Sequence, residues 1–153
     1  NAFSTFTAQN YGAGQSSRIK EALKKATILS AAFSSAAATA VFIFAEPLMR
    51  IFVSASETEV IAAGVRYLHI EGVFYAGIGC LFLLYGFYRA VEKPGMSVVL
   101  TVISLGTRVL LAYLLAGIIG ETGIWISVPI GWLLADITGY GYCILKRKRL
   151  FSD

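Results

Sequence analysis

The stretch ATILSAAFSSAAATAVFIFA, residues 26–45, carries no charged side chain and decides the class of fold. A helix of this length rises about 30 Å, which matches the hydrocarbon core of a bilayer. A strand there would leave backbone groups without water or a partner, so only a helix is stable in lipid. Residues 26–45 are therefore predicted to cross a membrane as a helix.

Three more apolar stretches predict three further spanning helices, at residues 67–88, 97–120 and 122–145. The chain of 153 residues is 57% hydrophobic and 14% charged, whereas soluble domains carry about 25% charged residues. This composition excludes a disordered tail, a nucleic-acid-binding arm and a disulfide-rich secreted module. The predicted fold is an all-α, polytopic membrane helix bundle within residues 26–153.

The N-terminal residues predict the end of another helix and a lead-in to the first span. Residues 1–14 are interpreted as the last turns of a transmembrane helix that ends near Gly12, because glycine suits a helix C-terminus. Residues 15–25 place apolar and charged side chains on opposite faces, which predicts a cytoplasmic amphipathic segment with Ser16 as a candidate N-cap. With an initial Asn as well, the chain is expected to be a piece of a longer protein.

The Lys and Arg side chains divide unequally between the two ends of the predicted helices. Of the thirteen, ten lie on one side, two lie on the other and Arg108 lies within a span. The positive-inside rule then places the loop at residues 91–96 and the C-terminus in the cytoplasm, in a multi-pass protein of the cell membrane. The basic run at residues 146–149 is interpreted as an anchor to anionic lipid, with no nucleic acid as partner.

No motif in the sequence predicts an enzyme. There is one His, and Cys80 and Cys143 lie inside apolar stretches, where cysteine is usually a small core residue. The glycines around Gly12 lack the preceding strand and the following Lys of a phosphate-binding loop. We therefore expect no catalytic residue, no metal site and no cofactor.

Three charged residues fall inside the predicted spans and are the candidate site: Glu71, Arg108 and Asp136. A charge at mid-bilayer costs at least about 2.5–3.5 kcal/mol, so it usually faces protein or a water-filled cavity. Arg108 and Asp136 have depths of about 17 and 21 Å from the outer surface, on adjacent antiparallel helices. Two interpretations are open: the three residues line a cavity for a substrate or a coupling ion, or Arg108 and Asp136 form an ion pair that sets helix register. A further structural interpretation is that the side chain of Glu71 or Asp136 extends to the membrane–water interface.

Proline and glycine in the spans predict local departures from regular helix packing. Pro129 removes a backbone hydrogen bond inside the last span and predicts a kink, which either borders a cavity or only serves packing. Gly77, Gly79 and Gly86 in the second span predict a close approach of neighbouring helices.

The N-terminal sequence FTAQNYGAG, residues 6–14, followed by Arg18, resembles the F-x-x-Q-N-x-G-A element of multidrug and toxic compound extrusion (MATE) transporters. Gln9, Asn10 and Gly12 are its matching residues. The likeness continues, in family order, through PLMRIF at residues 47–52, then Arg89 and Arg108, to the segment at residues 123–132 that contains Pro129.

The resemblance implies a place within a twelve-helix transporter of two lobes. Residues 1–14 would be the end of span eight and the four apolar stretches spans nine to twelve, which makes a partial C-terminal lobe without its N-terminal lobe. It also implies export of cationic or amphipathic compounds, driven by inward Na⁺ or H⁺ through alternating access. Many members carry an acid about eleven positions before the Arg that ends span ten. Here that position is Ile78, so an ion site would either use Glu71 instead or lie in the missing N-terminal lobe.

Three alternative functions remain open at the level of sequence. A lipid-linked saccharide flippase of the same superfamily would favour a cationic cavity, for which Arg108 is a hint. A non-transport membrane scaffold would use the intramembrane charges only to set helix register. A small oligomeric channel would conduct ions through four-helix units of this chain alone.

Overall fold

The computed structural model describes residues 2–146 and Leu150, and within them every regular secondary-structure element is a helix, with no strand. The helices are, in order, α1 (Ala2–Gly12), α2 (Ser16–Ile43), α3 (Ala45–Phe52), α4 (Thr58–Gly72), α5 (Tyr75–Ala90), α6 (Pro94–Ile119) and α7 (Glu121–Leu145). Three of the described helices, α2, α6 and α7, are long and apolar enough to cross a membrane, and the bent pair α4–α5 makes a fourth span if it is counted as one. The prediction of an all-α membrane helix bundle is confirmed.

The first span and its lead-in form one continuous helix, α2. It begins at Ser16, and the preceding Gln15 occupies the N-cap position without a side-chain cap, so the cap expected at Ser16 is displaced by one residue. Gly14 has a φ of +65°, which lets the chain reverse between α1 and α2. The apolar face predicted for the lead-in is present, because Ile19 and Leu23 are buried.

The second predicted span, residues 67–88, is not one straight helix. It is broken between Gly72 and Tyr75, and the two pieces, α4 and α5, meet at 52°. At the break, the Phe74 amide donates a hydrogen bond to the Glu71 carbonyl at 3.1 Å, which closes a tight turn in place of a regular helical bond. The break places Glu71 at the last turn of α4, inside the bundle.

The last two spans, α6 and α7, pack as antiparallel neighbours, as the short connection predicts. Gly120 joins them with a φ of +63° that favours glycine. A β-carbon added at Gly131 would lie 2.5 Å from the carbonyl oxygen of Ser104, so the helix backbones themselves are in contact there. The register of α6 against α7 is therefore set by backbone shape rather than by an ion pair.

The buried core surrounds α5, against which α1, α2, α6 and α7 all pack. Leu84, Phe87 and Tyr88 are completely buried, and the Tyr88 hydroxyl donates a hydrogen bond of 2.5 Å to the Gly139 carbonyl on α7. The glycines of the second span act as predicted, since added β-carbons at Gly79 and Gly86 would overlap serine side chains of α2 and α1. These contacts hold α5 in the middle of the bundle.

Candidate ion and substrate site

Glu71 lies buried where α4 ends, with only 3% of its surface exposed. Its Oε1 atom has no hydrogen-bond partner among the described residues. Arg108 of α6 interacts electrostatically with this carboxylate, but no salt bridge joins the two in the described part of the chain. The structure therefore brings together Glu71 and Arg108, two of the three predicted site residues, and Glu71 does not extend to an interface.

Arg108 is exposed on α6 in the middle of the span. A β-carbon on Gly131 would lie 3.6 Å from the Arg108 β-carbon, so the arginine emerges beside the α6–α7 contact. A guanidinium at this depth is costly in lipid, which favours an aqueous or protein-covered environment for this face of α6.

Asp136 is buried in α7, with 9% of its surface exposed, and its Oδ1 atom has no hydrogen-bond partner in the described residues. Its Oδ2 atom lies 3.5 Å from the place of a β-carbon on Gly77, so the carboxylate rests against the backbone of α5. The ion pair with Arg108 that we considered is absent from the described part of the chain. Since Gly131 faces α6, Asp136, five residues further on, lies about 140° around the helix and faces α5 instead.

A second polar group, which the sequence did not predict, lies one turn further along α7. Tyr140 shares a hydrogen bond of 2.8 Å with Thr27 of α2, and either hydroxyl can be the donor. The Cys80 thiol of α5 lies beside the Tyr140 hydroxyl, and Asp136 interacts electrostatically with both. The i+4 spacing of Tyr140 from Asp136 is the signal in the sequence that could have placed both side chains on one face of α7.

Side chains of α4 contact α2 and α7 at the end of the site nearer the α6–α7 turn. Tyr67 packs edge-on against Trp125 of α7, with ring centroids 5.8 Å apart. Arg66 reaches Glu121 at the start of α7, with 3.3 Å between Nη2 and Oε1. His69 stacks on Phe42 of α2, and its Nε2 atom lies 3.1 Å from the Phe42 carbonyl oxygen. These contacts position α4, and with it Glu71, against α2 and α7.

The residues of the family motif lie away from the buried acids. Asn10 is buried, and its Nδ2 atom donates a hydrogen bond of 2.8 Å to the Phe6 carbonyl, while its own carbonyl accepts one from the Gln15 amide. Gln9 and Gly12 are exposed. The geometry gives Asn10 a local role, which is to shape the turn between α1 and α2.

Pro129 is buried in α7, which continues through it without a break. Near this position the Ser127 hydroxyl donates a hydrogen bond of 2.6 Å to the Ile124 carbonyl. This carbonyl is next to that of Trp125, which lacks its usual amide donor because Pro129 has no N–H. Of the basic run at residues 146–149, all but Lys146 lies outside the described residues.

Comparison with known proteins assigns the family. The sequence profile of the MatE family matches residues 1–114, most of the chain. The chain therefore belongs to the MatE family and is a multi-pass membrane protein of a transporter family, as the motif at residues 6–14 predicts.

A similar protein is the probable multidrug resistance protein YpnP of Bacillus subtilis (strain 168). It is 27% identical over 156 residues, an alignment that covers 99% of this chain and 35% of that protein. The chain thus spans about a third of the length of this curated relative. No solved structure matches the chain.

Proposed function

We propose that this chain is part of the C-terminal lobe of a secondary active exporter. The exporter moves drugs or organic cations outward by Na⁺ or H⁺ antiport with alternating access, and works with an N-terminal lobe of the same transporter. In this arrangement the C-terminus is cytoplasmic and the protein resides in the cell membrane. Membership of the MatE family supports the class, and the buried Glu71 at the helix break is the observation that carries the mechanism.

A buried carboxylate with an unpartnered oxygen is costly in a membrane protein. Binding a cation or a proton neutralises Glu71 and removes that cost. Broken helices near the middle of transporters commonly line such sites, because the unwound backbone adds polar groups to the cavity. Glu71 meets both conditions, since it is buried and lies at the α4–α5 break.

Arg108 makes the binding of ion and substrate competitive. Its positive charge interacts with Glu71, so an organic cation binds this carboxylate against the repulsion of the guanidinium. When Na⁺ or H⁺ neutralises Glu71, the attraction for the substrate disappears while the repulsion from Arg108 remains. Ion entry then drives substrate release, which is the order that antiport requires.

The test is a Glu71→Gln substitution in the intact transporter, expressed in cells that lack other drug exporters. We expect ethidium efflux to fall at least about tenfold, because Gln keeps the shape but cannot bind a cation or a proton. Glu59→Gln, an exposed position on the same helix, serves as the matched control and should keep efflux. Normal efflux by Glu71→Gln at equal membrane abundance would remove Glu71 from the mechanism.

A second candidate function is the flipping of a lipid-linked saccharide, which the exposed Arg108 favours. A guanidinium within a span suits the phosphate of such a lipid, because it forms charge-assisted hydrogen bonds with phosphate oxygens. Reconstituted transporter offered both an organic cation and a lipid-linked saccharide separates the two functions. Movement of the lipid alone, lost in Arg108→Gln, would replace the exporter proposal.

A further inference from the structure

We propose that Asp136 is a second, proton-carrying site, and that its proton reaches the cytoplasm through Tyr140, Thr27 and the groove between α2 and α7. The inference rests on the proposed function and deepens it, because it gives the proton as the coupling ion for this lobe. It assigns roles to Tyr140 and Thr27, which lie outside the Glu71–Arg108 site.

Asp136 has the surroundings of a group that is protonated for part of a cycle. One of its oxygens is sealed from solvent without a partner, and the other rests against the α5 backbone at Gly77. A carboxylate in this position is costly, and the neutral acid costs much less. A proton needs only one carboxylate oxygen, and the neighbours of Asp136, a thiol and a hydroxyl, are groups that carry protons.

Tyr140 and Thr27 form a hydrogen-bonded pair that connects two helices. Their hydroxyl oxygens are 2.8 Å apart, and Tyr140 follows Asp136 by one helical turn. A hydroxyl both donates and accepts, so such a pair passes a proton without holding a net charge. The Cys80 thiol, beside Tyr140, completes the polar surroundings between α2, α5 and α7.

The groove between α2 and α7 leads from this pair to the end of the molecule where α2 begins and α7 finishes. It has a volume of about 630 Å³, and Thr27 and Tyr140 form part of its wall. Lys20 and Lys24 lie in the groove on the N-terminal turns of α2, which is the cytoplasmic side in the proposed topology. The groove therefore joins the hydroxyl pair to the cytoplasmic surface.

The elements packed around Asp136 carry several titratable and charged groups. The titratable and charged groups concerned are Cys80 from α5, Tyr140 from α7, Glu71 from α4, Arg108 from α6, and Lys20 and Lys24 from α2. The first two interact with Asp136 directly, Glu71 and Arg108 interact with each other, and the lysines lie in the groove. Asp136 and Glu71 are thus separate sites with different neighbours.

Proton release conserves charge and atoms at each step. The O–H bond of the protonated Asp136 breaks as its proton bonds to the Tyr140 hydroxyl oxygen, and the proton that Tyr140 held passes to the Thr27 hydroxyl oxygen. Thr27 in turn gives its proton to water in the groove, so each hydroxyl gains one proton and loses one. Asp136 remains a carboxylate until a proton enters from the outer side.

The experiment uses the intact transporter in liposomes that contain a pH-sensitive dye, with tetraphenylphosphonium as the probe cation. Asp136→Asn should reduce substrate-coupled proton flux at least about tenfold, while exchange of labelled for unlabelled probe, which moves no net proton, continues. Tyr140→Phe and Thr27→Val should each slow proton flux by about threefold or more and leave exchange intact. Thr138→Val, whose hydroxyl bonds its own helix at Leu134, is the control and should match the wild type.

Different outcomes separate this inference from the proposed function. Wild-type transport driven by Na⁺ without proton flux, or unchanged proton flux in Asp136→Asn, would overturn the proton path and leave the exporter proposal standing. If Asp136→Asn also loses probe exchange, the test of the proton path rests on Tyr140→Phe and Thr27→Val. Normal proton flux in both of these variants would overturn the inference. Failure of the wild type to move the probe with either ion gradient would instead count against the proposed function.

Discussion

At the scale of single residues, hydrogen-bond partners distinguish the candidate site residues from structural polar groups. Glu71 and Asp136 are buried with unpartnered oxygens, whereas the buried hydroxyl of Tyr88 is fully used in a hydrogen bond to Gly139. Satisfied buried polar groups rigidify a core, while an unsatisfied acid is costly unless it binds something. The two acids are therefore candidates for ligand binding, and Tyr88 is a structural residue.

Tyr88→Phe in the intact transporter should lower the free energy of unfolding by about 1 kcal/mol, because a buried hydrogen bond between α5 and α7 is lost. Thermal unfolding in detergent measures the effect. Tyr113→Phe is the control, since Tyr113 is 83% exposed on α6 in this chain. Equal melting temperatures for the two variants would contradict a structural role for the Tyr88 hydroxyl.

At the scale of elements, glycines decide how closely the helices approach. Lipid tails are as apolar as the helix side chains, so the hydrophobic effect does not drive helices together within a membrane. Membrane helices associate instead by close packing, which small residues allow. Gly131 allows the α7 backbone to touch the carbonyl of Ser104, and Gly77 allows Asp136 to rest against α5. The same rotation of α7 that buries Gly131 against α6 turns Asp136 away from Arg108.

Gly131→Ala should destabilise the transporter by about 1–3 kcal/mol, because the added methyl group forces α6 and α7 apart. Gly141→Ala, on the same helix, meets nothing within 4 Å in the described structure and should be neutral or slightly stabilising. Melting temperatures of both variants give the comparison. A harmless Gly131→Ala would show that the α6–α7 contact is looser than the structure indicates.

At the scale of the whole molecule, the distribution of Lys and Arg orients the bundle in the proposed topology. The exposed apolar side chains indicate that the bundle lies in a membrane. Large apolar side chains such as Leu29, Phe33 and Ile118 are more than two-thirds exposed on the outside of the bundle. In a multi-pass membrane protein such faces contact lipid, and in the proposed exporter some of them would contact the N-terminal lobe. The basic residues collect at one end, which orients the bundle in the proposed topology.

Cysteine labelling tests this orientation in intact cells. Ser54→Cys, between α3 and α4, should react with a membrane-impermeant maleimide added outside, because the proposed topology places that loop outside. Lys93→Cys, between α5 and α6, should react only after lysis. The unsubstituted protein, with Cys80 and Cys143, gives the background. The reverse pattern would invert the topology and move the α2–α7 groove to the outer side.

The sequence alone determined the fold class and the family, and it predicted the approximate spans and the candidate site residues Glu71, Arg108 and Asp136. Those properties follow from hydropathy, from the positions of Lys and Arg and from a local motif, all of which can be read along one chain. The tertiary structure decided which charges meet. Arg108 acts on Glu71 rather than Asp136, α4–α5 is broken, and Tyr140 pairs with Thr27 across 113 positions of sequence. Depth in the membrane can be counted from the sequence, but the rotation of each helix about its axis depends on packing between helices.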